Sequence, residues 1–233
     1  LKRLQSPATA RAGNAIAAFA MFLAIVATVV DTEILTWNGI LIGVAIGGLV
    51  GGITARRVEM TDMPQLVGIF NGFGGAASAL VAVAEFLGTP TIGVGTTGVT
   101  ILIGTAIGGV TFTGSFLAFA KLQGLMTGDP ITFPGQNILN ALLFLGVLAV
   151  GAMTLGAFGG QDPLTMFYVF CGLAMLMGVL LVIPIGGADM PVVISLLNSY
   201  SGLAASAAGF VIGNMVLIIS GALVGASGLI LTQ

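Results

Sequence analysis

The sequence has no histidine and few charged residues, and both shortages limit the kinds of functional site that it can form. Only 6% of its 233 residues are charged, whereas a soluble domain carries about 25%. Histidine is the commonest metal ligand and the one side chain that titrates unperturbed near neutral pH. Its absence argues against a metal site and leaves no ready proton carrier. The single cysteine, Cys171, excludes an intrachain disulfide, and a net charge of −2 gives no support for nucleic-acid binding.

Apolar residues dominate what is present. Hydrophobic residues make up 57% of the chain, and there are 37 glycines. A protein this apolar could not cover its surface with polar groups in water, so the lipid bilayer is the solvent that suits it. Glycine allows helices to pack closely in lipid. The sequence therefore predicts an all-α integral membrane protein, a polytopic bundle of transmembrane helices.

About eight runs are long enough to cross a bilayer, which takes roughly 20 mainly apolar residues. Turn signals rich in Gly, Pro and Asp separate these runs. The predicted helices are Gly13–Val30, Asn38–Ala55, Pro64–Leu87, Thr96–Ala120, Gly135–Phe158, Leu164–Pro184, Pro191–Ile212 and Asn214–Leu231. We expect residues 1–233 to form one transmembrane domain without a soluble nucleotide-binding domain.

The charged residues predict the orientation. If the helices alternate in direction, every basic residue falls on one side of the membrane: Lys2, Arg3, Arg11, Arg56, Arg57 and Lys121. The opposite side receives only acidic residues: Asp31, Glu33, Glu85 and Asp162. This is the positive-inside pattern. Both visible termini are therefore predicted to be cytoplasmic.

Two stretches of the chain match each other at identical spacing. The matched residues are Asp62, Met63, Pro64, Asn71 and Gly75 in the first stretch, and Asp189, Met190, Pro191, Asn198 and Gly202 in the second. The helices that follow align if Gly104–Gly109 is set against Ser220–Gly225. We predict a parallel two-helix repeat. The alternative is that membrane helices look alike because their residue alphabet is small.

Amide, hydroxyl and carboxyl side chains in the predicted helices are candidates for a proton path. Polar groups inside a membrane usually face the bundle interior or a wet cavity. The candidates are Asn71, Ser78, Glu85, Thr113, Ser115 and Asn198. The alternative for each is that it only ties neighbouring helices together. None is a titratable group at mid-membrane, so a proton path needs ordered water or a group from another subunit.

Two aspartates precede Met-Pro at predicted helix starts. For Asp62 we expect a simple helix cap. Asp189 lies in a short Gly-Gly-Ala-Asp turn on the predicted cytoplasmic side, where a soluble domain would dock. It is the candidate for coupling to such a domain.

Five stretches of the sequence form longer motifs: Arg56–Pro64, Thr111–Ser115, Gly186–Val193, Leu197–Gly202 and Gly221–Gly228. Together these motifs resemble the beta subunit of proton-translocating NAD(P) transhydrogenase. In that family, proton movement through the membrane domain drives hydride transfer between NAD(H) and NADP(H) on two soluble domains. The resemblance implies that this chain holds the proton path and itself binds no cofactor.

The resemblance also implies partners and residue roles. The expected partners are the lipid bilayer, alpha-type subunits, an NADP(H)-binding domain following this chain, and a second copy of the complex in the cell inner membrane. Positions used by the family for proton passage and coupling match Ser115, Asp189, Asn198, Gly221, Gly225 and Gly228. Asn71 departs from the pattern, because some members have a histidine there. We therefore expect a histidine or acid from a partner subunit near Asn71.

Two other functions fit the residues. A secondary transporter or channel for a small solute would use a wet cavity between the repeats. A structural membrane anchor for soluble enzymes is the third possibility.

Overall fold

The computed structural model describes residues 6–31, 37–90 and 92–232. These residues form eight α-helices and no strand. The helices are α1 (Pro7–Asp31), α2 (Trp37–Arg57), α3 (Met63–Gly88), α4 (Thr96–Leu122), α5 (Gln136–Thr154), α6 (Pro163–Val182), α7 (Met190–Val211) and α8 (Met215–Leu231). Seven of them are long and apolar enough to cross a membrane, and α8 is shorter, with 17 residues. The predicted all-α membrane fold is confirmed.

The chain divides into two compact units, residues 1–57 and residues 58–233. The first contains α1 and α2, whose large apolar side chains, such as Phe22 and Leu49, are exposed. Such helices are stable in lipid, because their apolar side chains face hydrocarbon and their backbone polar groups are bonded within the helix. Of the charged residues discussed above, Lys2, Arg3 and Glu33 lie outside the described residues.

In the second unit, α4 is the central helix and packs against α3, α6 and α7. Its glycines let each neighbour approach. A Cβ at Gly108 would lie 2.8 Å from Ala79 Cβ on α3, and one at Gly104 would lie 3.6 Å from Ala207 Cβ on α7. α3 also contacts α7, α7 packs against α8, and α5 packs against α6. A helix lined by neighbours on several sides must be apolar or small all round.

The observed helix ends depart from the predicted ones where local turns intervene. α5 ends at Thr154 rather than Phe158, because Gly156 has a positive φ of 80° and starts a Schellman turn. The amide of Ala157 donates to the Ala152 carbonyl there. α1 begins at Pro7, six residues before the predicted start, and proline suits the first position of a helix.

Contacts within the second unit fix which helix ends lie together. Lys121, near the end of α4, bonds to the Ile183 carbonyl at the end of α6. At the opposite end, Phe86 of α3 stacks on Phe167 of α6 with ring centroids 4.0 Å apart. One end of the unit therefore carries Lys121, Asp129 and Asp189, and the other carries Glu85 and Asp162. This separation is the one expected from helices that alternate in direction.

Asp162 caps the N-terminus of α6. Its carboxylate accepts hydrogen bonds from the Thr165 hydroxyl at 2.6 Å and from the Thr165 amide at 2.9 Å. These bonds favour the charged form and hold the pKa of Asp162 below its usual value. Asp62 and Asp189 occupy the N-cap positions of α3 and α7, but their side chains form no capping hydrogen bond. Asp62 therefore lies at the cap position expected from the sequence, but its carboxylate does not bond to the first turn of α3.

The pairs α3–α4 and α7–α8 form two hairpins that cross in the same way. In the first, a Cβ on Gly108 would lie 2.6 Å from the Gly75 carbonyl oxygen. In the second, a Cβ on Gly221 would lie 2.6 Å from the Gly202 carbonyl oxygen. Gly75 and Gly202 are the residues matched by the repeat, so the helix crossings agree with the repeat.

The crossings also correct the alignment of α4 with α8. Gly108 corresponds to Gly221, so the expected match of Gly104 with Ser220 is wrong by three residues. Both helices contain several glycines at uneven spacing, at positions 98, 104, 108, 109 and 114 in α4 and 221, 225 and 228 in α8, so more than one register fits the sequences. Only the close approach of the two backbones selects one.

Candidate functional site

The side chain of Asn71 joins three helices of the second unit. It lies on α3 and is 8% exposed. Its Nδ2 donates to the Ser115 hydroxyl on α4 at 2.9 Å, and its Oδ1 accepts a bond from the Ser201 hydroxyl on α7 at 2.8 Å. An amide buried among apolar helices must be paired. We call these three residues the Asn71 network.

Small residues around Asn71 make the network possible. A Cβ at Gly72 would lie 3.3 Å from Ser115 Cβ and 2.9 Å from the Phe116 ring. Glycine at this position therefore lets α4 approach closely enough for Ser115 to reach the amide. Ser115 itself is 0% exposed. Asn71 and Ser115 are buried, Ser201 is half-buried, and the two hydrogen bonds fix the orientation of the amide.

The structure does not bring Asn198 into the network. Asn198 lies on α7 with an exposed side chain, whereas its neighbours Leu197 and Ser199 are buried. Asn71 and Asn198 therefore share no hydrogen-bonded series among the described residues, and a place for Asn198 on the proton path stays a prediction. In the repeat, the residue equivalent to Ser115 is Gly228, which offers no side chain to bond Asn198.

Sequence analysis missed Ser201, although a signal was present. The buried residues of α7 recur at helical spacing: Ile194, Leu197, Ala204 and Ala208. Position 201 falls on that face, because residues three, four and seven apart share one side of a helix. Ser201 is the half-buried polar residue that this spacing places on the face towards Asn71, and Asn198 lies off that face.

The three candidate path residues of α3, Asn71, Ser78 and Glu85, do not form a continuous buried series. Ser78 is half-buried and donates to the Gly74 carbonyl of its own helix at 3.2 Å. Glu85 is exposed near the end of α3. Of these three residues, Asn71 alone forms side-chain hydrogen bonds to other helices among the described residues.

Thr113 ties α4 to α6. Its hydroxyl oxygen lies 2.7 Å from the Met175 carbonyl oxygen and 3.1 Å from the Gly109 carbonyl oxygen, and the single hydroxyl hydrogen is shared between these two acceptors. Gly178 of α6 lies against it, and a Cβ there would collide with the Thr113 hydroxyl. Both acceptors are backbone groups, so Thr113 serves helix packing and is separate from the Asn71 network.

The three glycines of α8 lie against α7. A Cβ at Gly221 would lie 2.5 Å from the Ser206 amide nitrogen, and one at Gly225 would lie 2.8 Å from the Leu203 side chain. A Cβ at Gly228 would overlap the Ser199 hydroxyl and lie 3.1 Å from Ser199 Cβ. These glycines therefore set the distance between α7 and α8.

Gly228 and Ser199 mirror a pair in the first hairpin. There, glycine is on the first helix and serine on the second, as Gly72 and Ser115. In the second hairpin, serine is on the first helix and glycine on the second. Each hairpin thus holds one hydroxymethyl group at the same crossing, contributed by opposite helices.

Asp189 lies at the end of the connection between α6 and α7, and its side chain is exposed. The connection is tied to the loop after α4. The Gly187 amide donates to the Gly128 carbonyl at 2.7 Å, and the Ile131 amide donates to the Ile183 carbonyl at 3.2 Å. Asp189 is thus presented at the surface by a turn with fixed backbone.

A separate apolar cavity of about 560 Å³ lies between α4, α5, α6 and α7. Its lining includes Ile103, Phe144, Phe170 and Leu203. None of the candidate path residues lines it. Within the described part of the chain, no three histidine, cysteine or acidic residues come together as a metal site would require.

The family described as NAD(P) transhydrogenase beta subunit matches residues 1–233. Two curated proteins named NAD(P) transhydrogenase subunit beta, both from Rhodospirillum rubrum and one from a designated strain, are each 45% identical over 239 aligned residues. The match covers 100% of this chain and 51% of each relative. The chain therefore spans about half the length of these curated relatives.

Proposed function

Because this chain belongs to the NAD(P) transhydrogenase beta subunit family, we propose that it conducts protons across a membrane for such an enzyme. Proton movement is coupled to hydride transfer between NAD(H) and NADP(H), which bind to soluble domains of the full complex. This chain contributes the proton path and not the hydride-transfer site.

The Asn71 network carries the proposal. It places two hydroxyls and an amide in an unbroken hydrogen-bonded series across α7, α3 and α4. One turn before Ser115, the hydroxyl of Thr111 is 0% exposed and has no partner among the described residues. A buried hydroxyl needs a partner, and ordered water supplies one. Water beside Thr111 would extend the series along α4.

The titrating group comes from another subunit in this proposal. Amides and hydroxyls do not titrate near neutral pH, and the chain has no histidine. A relay works best with a group whose pKa lies near the working pH. We assign that group to a histidine or acid of an alpha-type subunit near Asn71, whose orientation is already fixed by Ser115 and Ser201.

The end of the bundle that carries Asp189 faces the soluble domains. We place it on the cytoplasmic side of the cell inner membrane, because Lys121 lies at the same end. In this proposal an NADP(H)-binding domain follows this chain, as the resemblance implies. The complex is proposed to be a dimer.

The proposed function is tested on the whole complex in sealed liposomes with a trapped pH dye. Addition of NADPH and an NAD⁺ analogue should change the internal pH, and a protonophore should abolish that change and alter the rate of hydride transfer. Hydride transfer with no pH change in tight vesicles would contradict it. If the chain were instead a transporter or channel for a small solute, transport of that solute would persist without nucleotides.

The orientation gives a separate prediction. In a Cys171→Ser background, a cysteine in place of Asp129 should react from the cytoplasm with a membrane-impermeant maleimide. A cysteine in place of Asp162 should react only from the opposite side, because the two residues lie at opposite ends of the unit. Labelling of position 162 from the cytoplasm alone would overturn the orientation.

A further inference from the structure

Lys121 is buried near the end of α4, with 4% of its surface exposed. Its ammonium donates to three backbone carbonyls, those of Ile183 at 2.7 Å, Ile185 at 2.8 Å and Asp129 at 3.1 Å. An ammonium group has three hydrogens, and each has an acceptor. From the sequence, this lysine indicated only which side of the membrane is cytoplasmic.

Two of the three carbonyls belong to the connection that ends at Asp189. We call residues 183–189 the Asp189 turn. Lys121 holds the start of this turn, and the Gly187 amide is held in turn by the Gly128 carbonyl. The turn continues into α7 at Met190. The position of Asp189 therefore depends on the hydrogen bonds from Lys121 to the carbonyls of Ile183 and Ile185.

The same helix also reaches α7 through the Asn71 network. Ser115 precedes Lys121 on α4 by six residues, which is about 9 Å along a helix. Ser115 binds Asn71, and Asn71 binds Ser201 of α7. α4 is therefore connected to α7 deep in the bundle through Asn71 and at the N-terminus of α7 through Lys121.

A buried charge is a costly way to obtain stability alone. Removing an ammonium from water carries a penalty that hydrogen bonds only offset, and apolar side chains of similar volume pack as well or better. What the ammonium adds is a set of directional hydrogen bonds. Its three acceptors include carbonyls at the C-terminal end of α6, where the helix dipole favours a cation. Lys121 thereby fixes one geometry of the Asp189 turn relative to α4.

We propose that Lys121 is a positioning residue for coupling, which makes the Asp189 turn move together with α4. This inference rests on the proposed function. When protonation changes beside the Asn71 network shift α4, Lys121 transmits the shift to the surface at Asp189. Lys121 neither carries the proton nor touches the nucleotides.

The test uses the full complex with Lys121→Met, Lys121→Arg and, as a matched control, Arg56→Met. Arg56 is exposed on α2, so its replacement removes a positive charge without removing the contacts of Lys121. Two quantities are measured: the number of protons moved per hydride transferred, and the mobility of a spin label on Ala188→Cys in a Cys171→Ser background. Ala188 is exposed within the Asp189 turn.

We expect Lys121→Met to lower the proton-to-hydride ratio at least threefold and to increase label mobility. Lys121→Arg should recover at least half of the ratio, and Arg56→Met should match the parent protein in both measurements. A Lys121→Met complex with unchanged ratio and mobility overturns the proposal, and so does a purely structural effect in which expression falls but the ratio does not.

If Lys121→Met does not assemble, Lys121→Gln replaces it, because an amide keeps two N–H donors. A partial rise in mobility and a partial fall in the ratio are then expected, and parental values overturn the proposal. A parent complex that transfers hydride without moving protons would instead refute the proposed function. Label mobility would still report whether Lys121 holds the Asp189 turn.

Discussion

Replacing Asn71 with leucine is expected to lower proton-coupled turnover by roughly tenfold or more, which corresponds to about 1.4 kcal/mol in a barrier. Leucine is close to asparagine in size but can neither donate nor accept a hydrogen bond. The hydroxyls of Ser115 and Ser201 would lose the partner that joins them. Leaving a buried polar group unpaired costs about 1–3 kcal/mol. The measurement is nucleotide-driven proton uptake by the complex in liposomes.

The control for Asn71→Leu is Asn137→Leu. Asn137 lies on α5 with an exposed side chain, so the same substitution there should leave coupled turnover unchanged. Hydride transfer between the isolated soluble domains should also be normal, because Asn71 is not part of them. Normal proton uptake by an assembled Asn71→Leu complex would remove the Asn71 network from the proton path.

Substitution of Gly221 by alanine is expected to separate α7 from α8 and destabilise the complex. The new Cβ would lie 2.5 Å from the Ser206 amide nitrogen and 2.6 Å from the Gly202 carbonyl oxygen. Both atoms belong to the backbone, so rotation of a side chain cannot relieve the overlap. Overpacking of this kind costs about 1–3 kcal/mol. A fall in the Tm of the detergent-solubilised complex, with loss of proton uptake, would be the observed result.

Gly146→Ala provides the comparison for Gly221→Ala. A Cβ at Gly146 in the middle of α5 would meet nothing within 4 Å. Alanine is a better helix former than glycine by about 1 kcal/mol, so this variant should keep or slightly raise the Tm. Equal Tm values for the two variants would show that the α7–α8 crossing tolerates a wider separation than its geometry indicates.

Hydrophobicity and turn signals were sufficient to predict the eight helices. A run of some 20 apolar residues has few stable arrangements outside a membrane. The ends were less predictable, because a left-handed glycine such as Gly156 stops a helix within an apolar stretch. The repeat was recognisable from Asp62 and Asp189 onward, but its second helix was aligned out of register. Helix crossings depend on which backbones meet, and the glycine spacing alone does not specify that.

Residue type was sufficient to predict part of the candidate site. The rest depends on which face of a helix each residue occupies. Asn71 and Ser115 were predicted, and they contact each other. Asn198 was predicted because an intramembrane amide is unusual, yet it lies on the exposed side of α7. Ser201 was missed because a serine in an apolar helix is common. The buried contacts of Lys121 were not foreseeable, because its acceptors are backbone carbonyls more than 60 residues away in the sequence for Ile183 and Ile185.

The exchange of glycine and serine between the two hairpins shows which combinations of residues each crossing can hold. A serine on both helices would place two hydroxymethyl groups where Ser199 alone already meets Gly228. The two positions of a crossing are therefore not independent, and a side chain on one helix requires glycine at the facing position of the other.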